Sequence, residues 1–117
     1  MNDAFIETLS AAIDAFAKER DWEQFHSPKN LAMALIVEAA ELVEHFQWLN
    51  EQQSEQIDPA RHEAVAEELA DILIYTLRLA SRMKIDLESA AWAKLEKNGQ
   101  KYPVEKARGV ARKYTEL

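Results

Sequence analysis

The sequence predicts an all-α fold of the four-helix-bundle type. Its 117 residues include only two Gly and three Pro, and they are 48% hydrophobic and 30% charged, a composition typical of helix-rich globular proteins. Apolar side chains recur at helical spacing in three segments, and a capping residue introduces a fourth. Two segments begin with a cap followed by proline, Ser27-Pro28 and Asp58-Pro59, which is a strong signal for a helix start. The length suits one domain.

The first two helices are predicted from their apolar faces. The first extends from Asp3 to Arg20, with Asn2 or Asp3 as its cap, and the second extends from Pro28 to Leu49. Residues 21–26 break the helical period between them. The apolar faces consist of Phe5, Leu9, Ile13 and Phe16 in the first helix, and of Leu31, Leu35, Leu42 and Leu49 in the second.

The third helix is predicted from Pro59 to about Lys84, after a polar connection over residues 50–57. A cap at its start, Asp58, agrees with this boundary. Its core face carries Val65, Ile72 and Leu79.

The fourth helix is expected to begin after the cap Asp86 and to end near Asn98-Gly99, a pair suited to the left-handed conformation of a helix end. Pro103 prevents any continuation. Residues 1–103 are therefore expected to form the folded domain, and residues 104–117 to form a tail or a subunit arm.

Charge and composition exclude several classes of function. The net charge of −7 argues against binding of polymeric nucleic acid, which needs basic patches. The sequence contains no Cys, and no apolar run approaches the roughly 20 residues that span a membrane. A cytoplasmic protein without membrane contact is expected.

Acidic residues occupy positions on the second and third helices where apolar residues are expected. Glu38 falls at the centre of the leucine face of the second helix, and Glu41 lies about 60° away on the helical wheel. Glu68 interrupts the apolar face of the third helix, with Asp71 at its edge. Each pair shares one helical face, with about 5–6 Å between the Cβ atoms.

Clustered carboxylates in a core repel one another and lose hydration, so a cation is expected between them. Hard oxygen donors favour Mg²⁺, with Mn²⁺ as an alternative, and Mg²⁺ often completes its shell with substrate phosphate. Glu44 lies about 120° from Glu38 on the helical wheel and Glu67 about 100° from Glu68, so they are weak candidates for a catalytic role.

The residues around these acids resemble a known family. Residues 37–48 and 67–75 are similar to the all-alpha nucleoside triphosphate pyrophosphohydrolases of the MazG-like group, and within it to the dCTP pyrophosphatase branch. The blocks at 20–31 and 94–103 are also similar to that branch, so the resemblance extends over roughly residues 14–103.

The resemblance implies Mg²⁺-dependent hydrolysis of a nucleoside triphosphate, dCTP or a modified dCTP, to the monophosphate and pyrophosphate, as nucleotide-pool house-cleaning. It also implies a homodimer or homotetramer. It assigns Glu38, Glu41, Glu68 and Asp71 to the metal. The substrate-binding positions that it implies are Trp22, His26, Trp48, Tyr75, Lys94, Asn98, Lys101 and Tyr102, of which Trp22, Trp48 and Tyr75 shape the nucleobase pocket.

One departure concerns the general base. Many relatives in the wider group carry an acid immediately before the first ligand, where this chain has Val37. A metal-bound water with a lowered pKa is therefore expected to supply the nucleophile, and no protein base is assigned.

Two rival interpretations remain open. A di-iron or di-manganese bundle also places carboxylates inside helices, but it needs Glu-x-x-His pairs, which none of the four predicted helices carries. A non-enzymatic bundle that mediates interactions would leave the acids facing water, and a metal titration separates it from the enzyme.

Overall fold

The computed structural model describes residues 4–117 and confirms the all-α prediction, because those residues form helices and turns without a strand. The chain divides into two compact units, of which the first ends at Ile85 and the second extends from Asp86 to Leu117. No helix within residues 4–117 has both the length and the apolar character needed to cross a bilayer. The helices are α1 (Phe5–Glu19), α2 (Pro28–Glu44), α3 (Glu51–Ser54), α4 (Pro59–Arg82), α5 (Leu87–Lys101) and α6 (Val104–Ala107), followed by a 3₁₀ turn at Tyr114–Glu116.

Helix α1 confirms the first predicted helix, although the predicted caps Asn2 and Asp3 lie outside the described residues. Its end is a Schellman motif in which Asp21 adopts a left-handed φ of 55°. The Trp22 N–H donates to the Ala17 carbonyl over 2.9 Å, and the Asp21 N–H donates to the Lys18 carbonyl over 3.1 Å. This turn directs Trp22 back toward the end of α1.

Helix α2 begins where it was predicted but ends at Glu44, so the predicted end at Leu49 is wrong. The Phe46 N–H bonds the Val43 carbonyl three residues back over 2.9 Å, which tightens the last turn. Arg61 Nη1 donates over 3.1 Å to the carbonyl of His45 and satisfies one of the acceptors that a helix end leaves free.

The predicted polar connection contains the short helix α3, which the sequence analysis missed. Asn50 and Gln53 form a reciprocal capping box, with N···O distances of 2.8 and 3.0 Å. This cap starts a new helix just beyond α2 and competes with its continuation.

Helix α4 is the third predicted helix, and it packs against both α1 and α2 within the first unit. Its cap is Asp58, whose carboxylate accepts from the Arg61 N–H over 2.8 Å. It ends in a second Schellman motif, with Lys84 at φ 55° and the Ile85 N–H bonded to the Ala80 carbonyl over 2.9 Å.

The fully buried core of this unit is small, and the predicted apolar faces of α2 and α4 are only half-buried over most of their length. Acids on these faces therefore lie near the edge of the core rather than at its centre. The buried apolar residues are Ala17, Leu31, Leu77 and Ala80.

Helix α5 of the second unit starts at the predicted cap, where the Asp86 carboxylate accepts from the backbone and hydroxyl of Ser89 over 3.1 and 2.9 Å. The predicted end at Asn98-Gly99 is wrong, since α5 continues through Gly99 in helical geometry to Lys101. Pro103 disfavours the helical conformation for Tyr102, and this ends the helix.

The residues after Pro103, predicted to be a tail or a subunit arm, contain α6 and the 3₁₀ turn. The Tyr114 ring meets Tyr102 edge to face at 6.0 Å between centroids, and Lys101 Nζ lies 4.8 Å from the Tyr114 centroid. The end of the chain therefore contacts the end of α5.

Candidate active site

Three of the four predicted metal-binding acids meet where α2 and α4 pack together. Glu38 and Glu41 come from α2 and Glu68 from α4, and one carboxylate oxygen of each lies within 4.8 Å of the others. All three side chains are half-buried. The helical spacing that brought Glu38 and Glu41 to one face thus also directs them toward Glu68.

Two oxygens of this carboxylate group are buried without a hydrogen-bond donor. They are Oε2 of Glu38 and Oε2 of Glu68, and no N–H or O–H of residues 4–117 donates to either. Burial, followed by the proximity of Glu41 and Glu68, raises the pKa of Glu38 to about 7. The same physical causes, burial first and Glu41 next, raise the pKa of Glu68, whereas His45 lowers it.

This arrangement passes a test of fit for Mg²⁺. Buried polar atoms in folded proteins almost always have partners, so two orphaned carboxylate oxygens indicate a missing positive group. The donors are all carboxylates, which are the hard ligands that Mg²⁺ prefers. The nearest histidine, His45, has its Nε2 atom 4.0 Å from Glu68 Oε1 and suits an electrostatic neighbour better than a ligand.

Asp71, the fourth predicted ligand, is exposed and lies outside the group that meets within 4.8 Å. It follows Glu68 by about one turn of α4 and is close enough to raise the pKa of Glu38 and of Tyr75. It also lines a cavity on the neighbouring surface. Asp71 therefore connects the carboxylate group to that cavity.

The cavity has a volume of about 450 Å³ and lies between α1, the connection that follows it, and α4. This volume is in the range of small-molecule sites, and the wall is mostly apolar and aromatic, as is usual for such sites. Three predicted substrate-binding residues, Trp22, His26 and Tyr75, line it together.

Aromatic contacts hold the cavity wall in place. Trp22 packs edge to face against Phe16 at 5.7 Å and against His26 at 6.1 Å between ring centroids. The guanidinium of Arg20 lies 3.5 Å from the centroid of the Phe16 ring, a cation–π contact. Burial, and then the negative charges of Glu38, Asp71 and Glu41, raise the pKa of Tyr75, so that its phenol keeps its proton.

Within the first unit, one more predicted substrate residue and both candidate bases lie outside these two features. Trp48 is 87% exposed and does not line the cavity. Glu44 and Glu67 are exposed and outside the carboxylate group. The remaining four predicted substrate-binding residues belong to the second unit. Lys94, Asn98 and Lys101 lie on α5, and Tyr102 is its C-cap.

A polar network that the sequence did not predict lies beside the cavity. Arg78 of α4 is only 4% exposed and donates through Nη1 to Asp14 Oδ1 over 2.8 Å and through Nε to His26 Nδ1 over 3.1 Å. The Ser81 hydroxyl donates to Asp14 Oδ2 over 2.6 Å. The sequence shows that Arg78 and Ser81 are about one helical turn apart. Their hydrogen-bond partners, Asp14 and His26, are distant in the chain and could not be identified from it.

Comparisons with known proteins show the family of the chain. Residues 33–117 match the MazG-like family. The chain is 48% identical to dCTP pyrophosphatase 1 from Bos taurus and 47% identical to dCTP pyrophosphatase 1 from Homo sapiens, each over 104 residues. Each alignment covers 87% of this chain, and the chain spans 62% and 61% of the length of these relatives.

A solved structure shares the fold. The crystal structure of a pyrophosphatase from Archaeoglobus fulgidus gives a TM-score of 0.81 at 38% sequence identity, covering 88% of this chain and 96% of that chain. All four predicted metal-binding acids lie inside the residues that match the family, whereas Trp22 and His26 precede them.

Proposed function

Because the chain belongs to the MazG-like family, we propose that it is a Mg²⁺-dependent pyrophosphohydrolase that converts dCTP, or a base-modified dCTP, to the monophosphate and pyrophosphate. The proposal rests mainly on the position of Asp71, which follows Glu68 of the carboxylate group by about one turn and also lines the aromatic cavity. The names of the mammalian relatives suggest the nucleotide and the bond.

In this proposal Glu38, Glu41, Glu68 and Asp71 hold the metal. The unpartnered oxygens of Glu38 and Glu68 and the negative charge that they share with Glu41 suit a small divalent cation. The chemistry that Mg²⁺ supplies when bound is neutralisation of phosphate charge and acidification of a water molecule. Rigid helices α2 and α4 position the carboxylates before substrate arrives, so little reorganisation is needed during the reaction.

The cavity would hold the nucleobase. Phe16 and Trp22 offer flat aromatic surfaces, and an apolar wall excludes water from the base. Tyr75, which keeps its proton, can donate a hydrogen bond next to Asp71. Binding the base orients the triphosphate, and positioning together with charge neutralisation is most of what phosphoryl transfer requires.

Several assignments rest on family resemblance and are proposed on that ground. We propose that Lys94, Asn98, Lys101 and Tyr102 bind the substrate and that Trp48 contributes to the nucleobase pocket. Val37 is 54% exposed and apolar, so it cannot replace the acid that many relatives carry before the first ligand. Glu44 and Glu67 remain weak candidates for a base. The cytoplasmic location also stays a prediction.

We also propose a homodimer or homotetramer, and a catalytic domain over residues 1–103 with residues 104–117 as a subunit arm. The support for assembly is the apolar surface of α2, on which Met33, Ile36 and Val37 are more than half exposed. Light scattering of the full chain and of a chain that ends at residue 103 tests both statements.

The decisive experiment incubates the protein with Mg²⁺ and a panel of canonical and 5-modified nucleoside triphosphates, and follows the products by ³¹P NMR. We expect pyrophosphate and the monophosphate, with dCTP or a modified dCTP preferred. Glu68→Gln is the inactive comparison, and Glu63→Gln, at an exposed position of the same helix, is the matched control. Release of orthophosphate alone, or turnover that survives Glu68→Gln, would overturn the proposal.

A further inference from the structure

Arg78 is a buried cation that donates a hydrogen bond to His26, a residue of the cavity wall. Its side chain is 5% exposed, and its Nε donates over 3.1 Å to Nδ1 of His26. A guanidinium is always protonated and has only donors, so the His26 atom that it contacts must be an acceptor. Nδ1 of His26 therefore carries a lone pair.

This contact determines where the imidazole proton lies. A neutral imidazole has one donor and one acceptor nitrogen, and when Nδ1 accepts, Nε2 carries the hydrogen. Burial first, and then the positive charges of Arg78 and Arg82, lower the pKa of His26, which favours the neutral ring. His26 lines the cavity, and its Nε2 has no hydrogen-bond partner among residues 4–117.

Asp14 anchors the guanidinium that imposes this state. Its Oδ1 accepts from Arg78 Nη1 over 2.8 Å, and its Oδ2 accepts from the Ser81 hydroxyl over 2.6 Å. Asp14 belongs to α1, whereas Arg78 and Ser81 belong to α4, so the network ties the two helices that flank the cavity. The remaining nitrogen of Arg78, Nη2, is buried and lacks an acceptor within the described chain.

We infer that Arg78, anchored by Asp14, is a positioning residue that holds His26 as its neutral Nε2–H tautomer, so that His26 donates a hydrogen bond to an acceptor atom of the nucleobase. The identity of the ligand rests on the proposed function, whereas the tautomer does not. A cytosine offers its keto oxygen and ring nitrogen as acceptors, and either one suits this donor.

Nitrogen NMR tests the tautomer directly. In ¹⁵N-histidine-labelled protein at pH 7, we expect His26 to carry its proton on Nε2. Arg78→Met removes the donor and should produce a mixture of tautomers. Arg82→Met removes a nearby charge without removing a hydrogen bond, so it should preserve the Nε2–H form. The exposed His62 provides an internal reference. A proton on Nδ1 of His26 in the unmodified protein overturns the inference, whether or not any variant folds.

Kinetics tests the link from Arg78 through His26 to the base. We expect Arg78→Met to raise KM for dCTP by about tenfold, the size of one hydrogen bond, with kcat changed by less than about threefold. In a His26→Gln background the same substitution should have little further effect on KM, because the positioned group is gone. If the role of Arg78 were merely structural, Arg78→Met would impair the kinetics by the same factor with and without His26→Gln. That result overturns the inference.

Ligand binding supplies the last arm of the test. A hydrolysis-resistant dCTP analogue with a methylene between the α and β phosphates should shift the Nε2 resonance of His26 and leave that of His62 unchanged. If the protein hydrolyses no nucleoside triphosphate, the proposed function fails while the tautomer measurement still stands. If turnover occurs and the His26 resonance does not move, the base contact is wrong and the proposed function survives.

Discussion

Glu38 on α2 and Glu68 on α4 bring one carboxylate oxygen each within 4.8 Å, and each also has a buried Oε2 that accepts no hydrogen bond from residues 4–117. The interface between the two helices thus concentrates negative charge. Charge of this kind favours binding of a cation and disfavours the metal-free fold. The negative charge of these two residues should therefore favour metal binding and activity but lower the stability of the metal-free protein.

Replacing one of these acids by a neutral residue should lower the activity and raise the stability of the metal-free protein. We expect Glu38→Gln to reduce Mg²⁺-dependent dCTP turnover by more than the roughly 10–100-fold that is typical of residues behind the metal ligands. It should also raise the melting temperature of the metal-free protein at pH 8, since a buried like charge is removed. Glu63→Gln, at an exposed position of α4, should change neither quantity. A lower melting temperature for metal-free Glu38→Gln would contradict the clustering of charge.

The stability of the metal-free protein should fall as pH rises between about 4.5 and 7. The pKa of Glu38 is raised from 4.5 to about 7 in the folded state, so the folded protein binds more protons than the unfolded chain in this range. The stabilisation is complete below pH 4.5 and is lost as the pH rises through 7. His26, whose pKa is lowered, acts in the opposite direction.

Urea unfolding in EDTA at a series of pH values measures this effect, and the difference between the unmodified protein and Glu38→Gln isolates Glu38. Parallel curves for the two proteins from pH 4.5 to 8 would show that the Glu38 pKa is ordinary.

Binding of Mg²⁺ should release protons. At pH 6 Glu38 is mostly protonated because its pKa is about 7, and a carboxylate must be ionised to hold the metal. We expect about one proton released per site at pH 6 and close to none at pH 8.5. Calorimetry in two buffers with different ionisation enthalpies measures the number, and an enthalpy that is independent of buffer at pH 6 would refute the prediction.

Trp22→Ala should weaken binding of the nucleotide and leave binding of the metal unchanged. Stacking of a base on an aromatic side chain contributes about 1–3 kcal/mol, which corresponds to a KM roughly 5–150-fold higher. Trp92→Ala is the matched control, because Trp92 is 68% exposed on α5 and no role is assigned to it. Steady-state kinetics of Trp48→Ala in the same series decides whether the exposed Trp48 also contributes.

Lys84→Gly should stabilise the protein. Lys84 adopts a left-handed φ of 55°, which glycine takes without a steric penalty, so we expect a gain of about 0.5–1 kcal/mol in the free energy of unfolding. Lys84→Ala keeps the Cβ atom and should give no comparable gain. Denaturant melts of the three proteins provide the comparison, and equal midpoints for the glycine and alanine variants would contradict the argument.

The helix starts and the proximity of Glu38, Glu41 and Glu68 could be predicted because they depend on local pattern. Ser27-Pro28 and Asp58-Pro59 each begin a helix as expected, with the cap hydrogen bond in place. The repeated interruption of apolar faces located Glu38, Glu41 and Glu68 in one group. These features require only helical geometry and the chemistry of neighbouring residues.

The helix ends and the cavity wall depend on interactions that the periodicity of apolar residues in the sequence does not reveal. The end of α2 follows from a competing cap at Asn50 and a long-range hydrogen bond from Arg61. The end of α5 follows from Pro103 rather than from Gly99. Asp14 and Arg78 are 64 positions apart, so only the packing of α1 on α4 could reveal their pairing.

Helix α4 carries Glu68, Asp71, Tyr75 and Arg78 at intervals of one turn, and these residues reach from the carboxylate group to the inner wall of the cavity. A single rigid rod of about 15 Å thus sets the distance and the angle between the two halves of the site. One inserted residue between Asp71 and Tyr75 would rotate the halves by about 100° relative to each other. A change in the length of this helix between Asp71 and Tyr75 would therefore disrupt the site even if every side chain were kept.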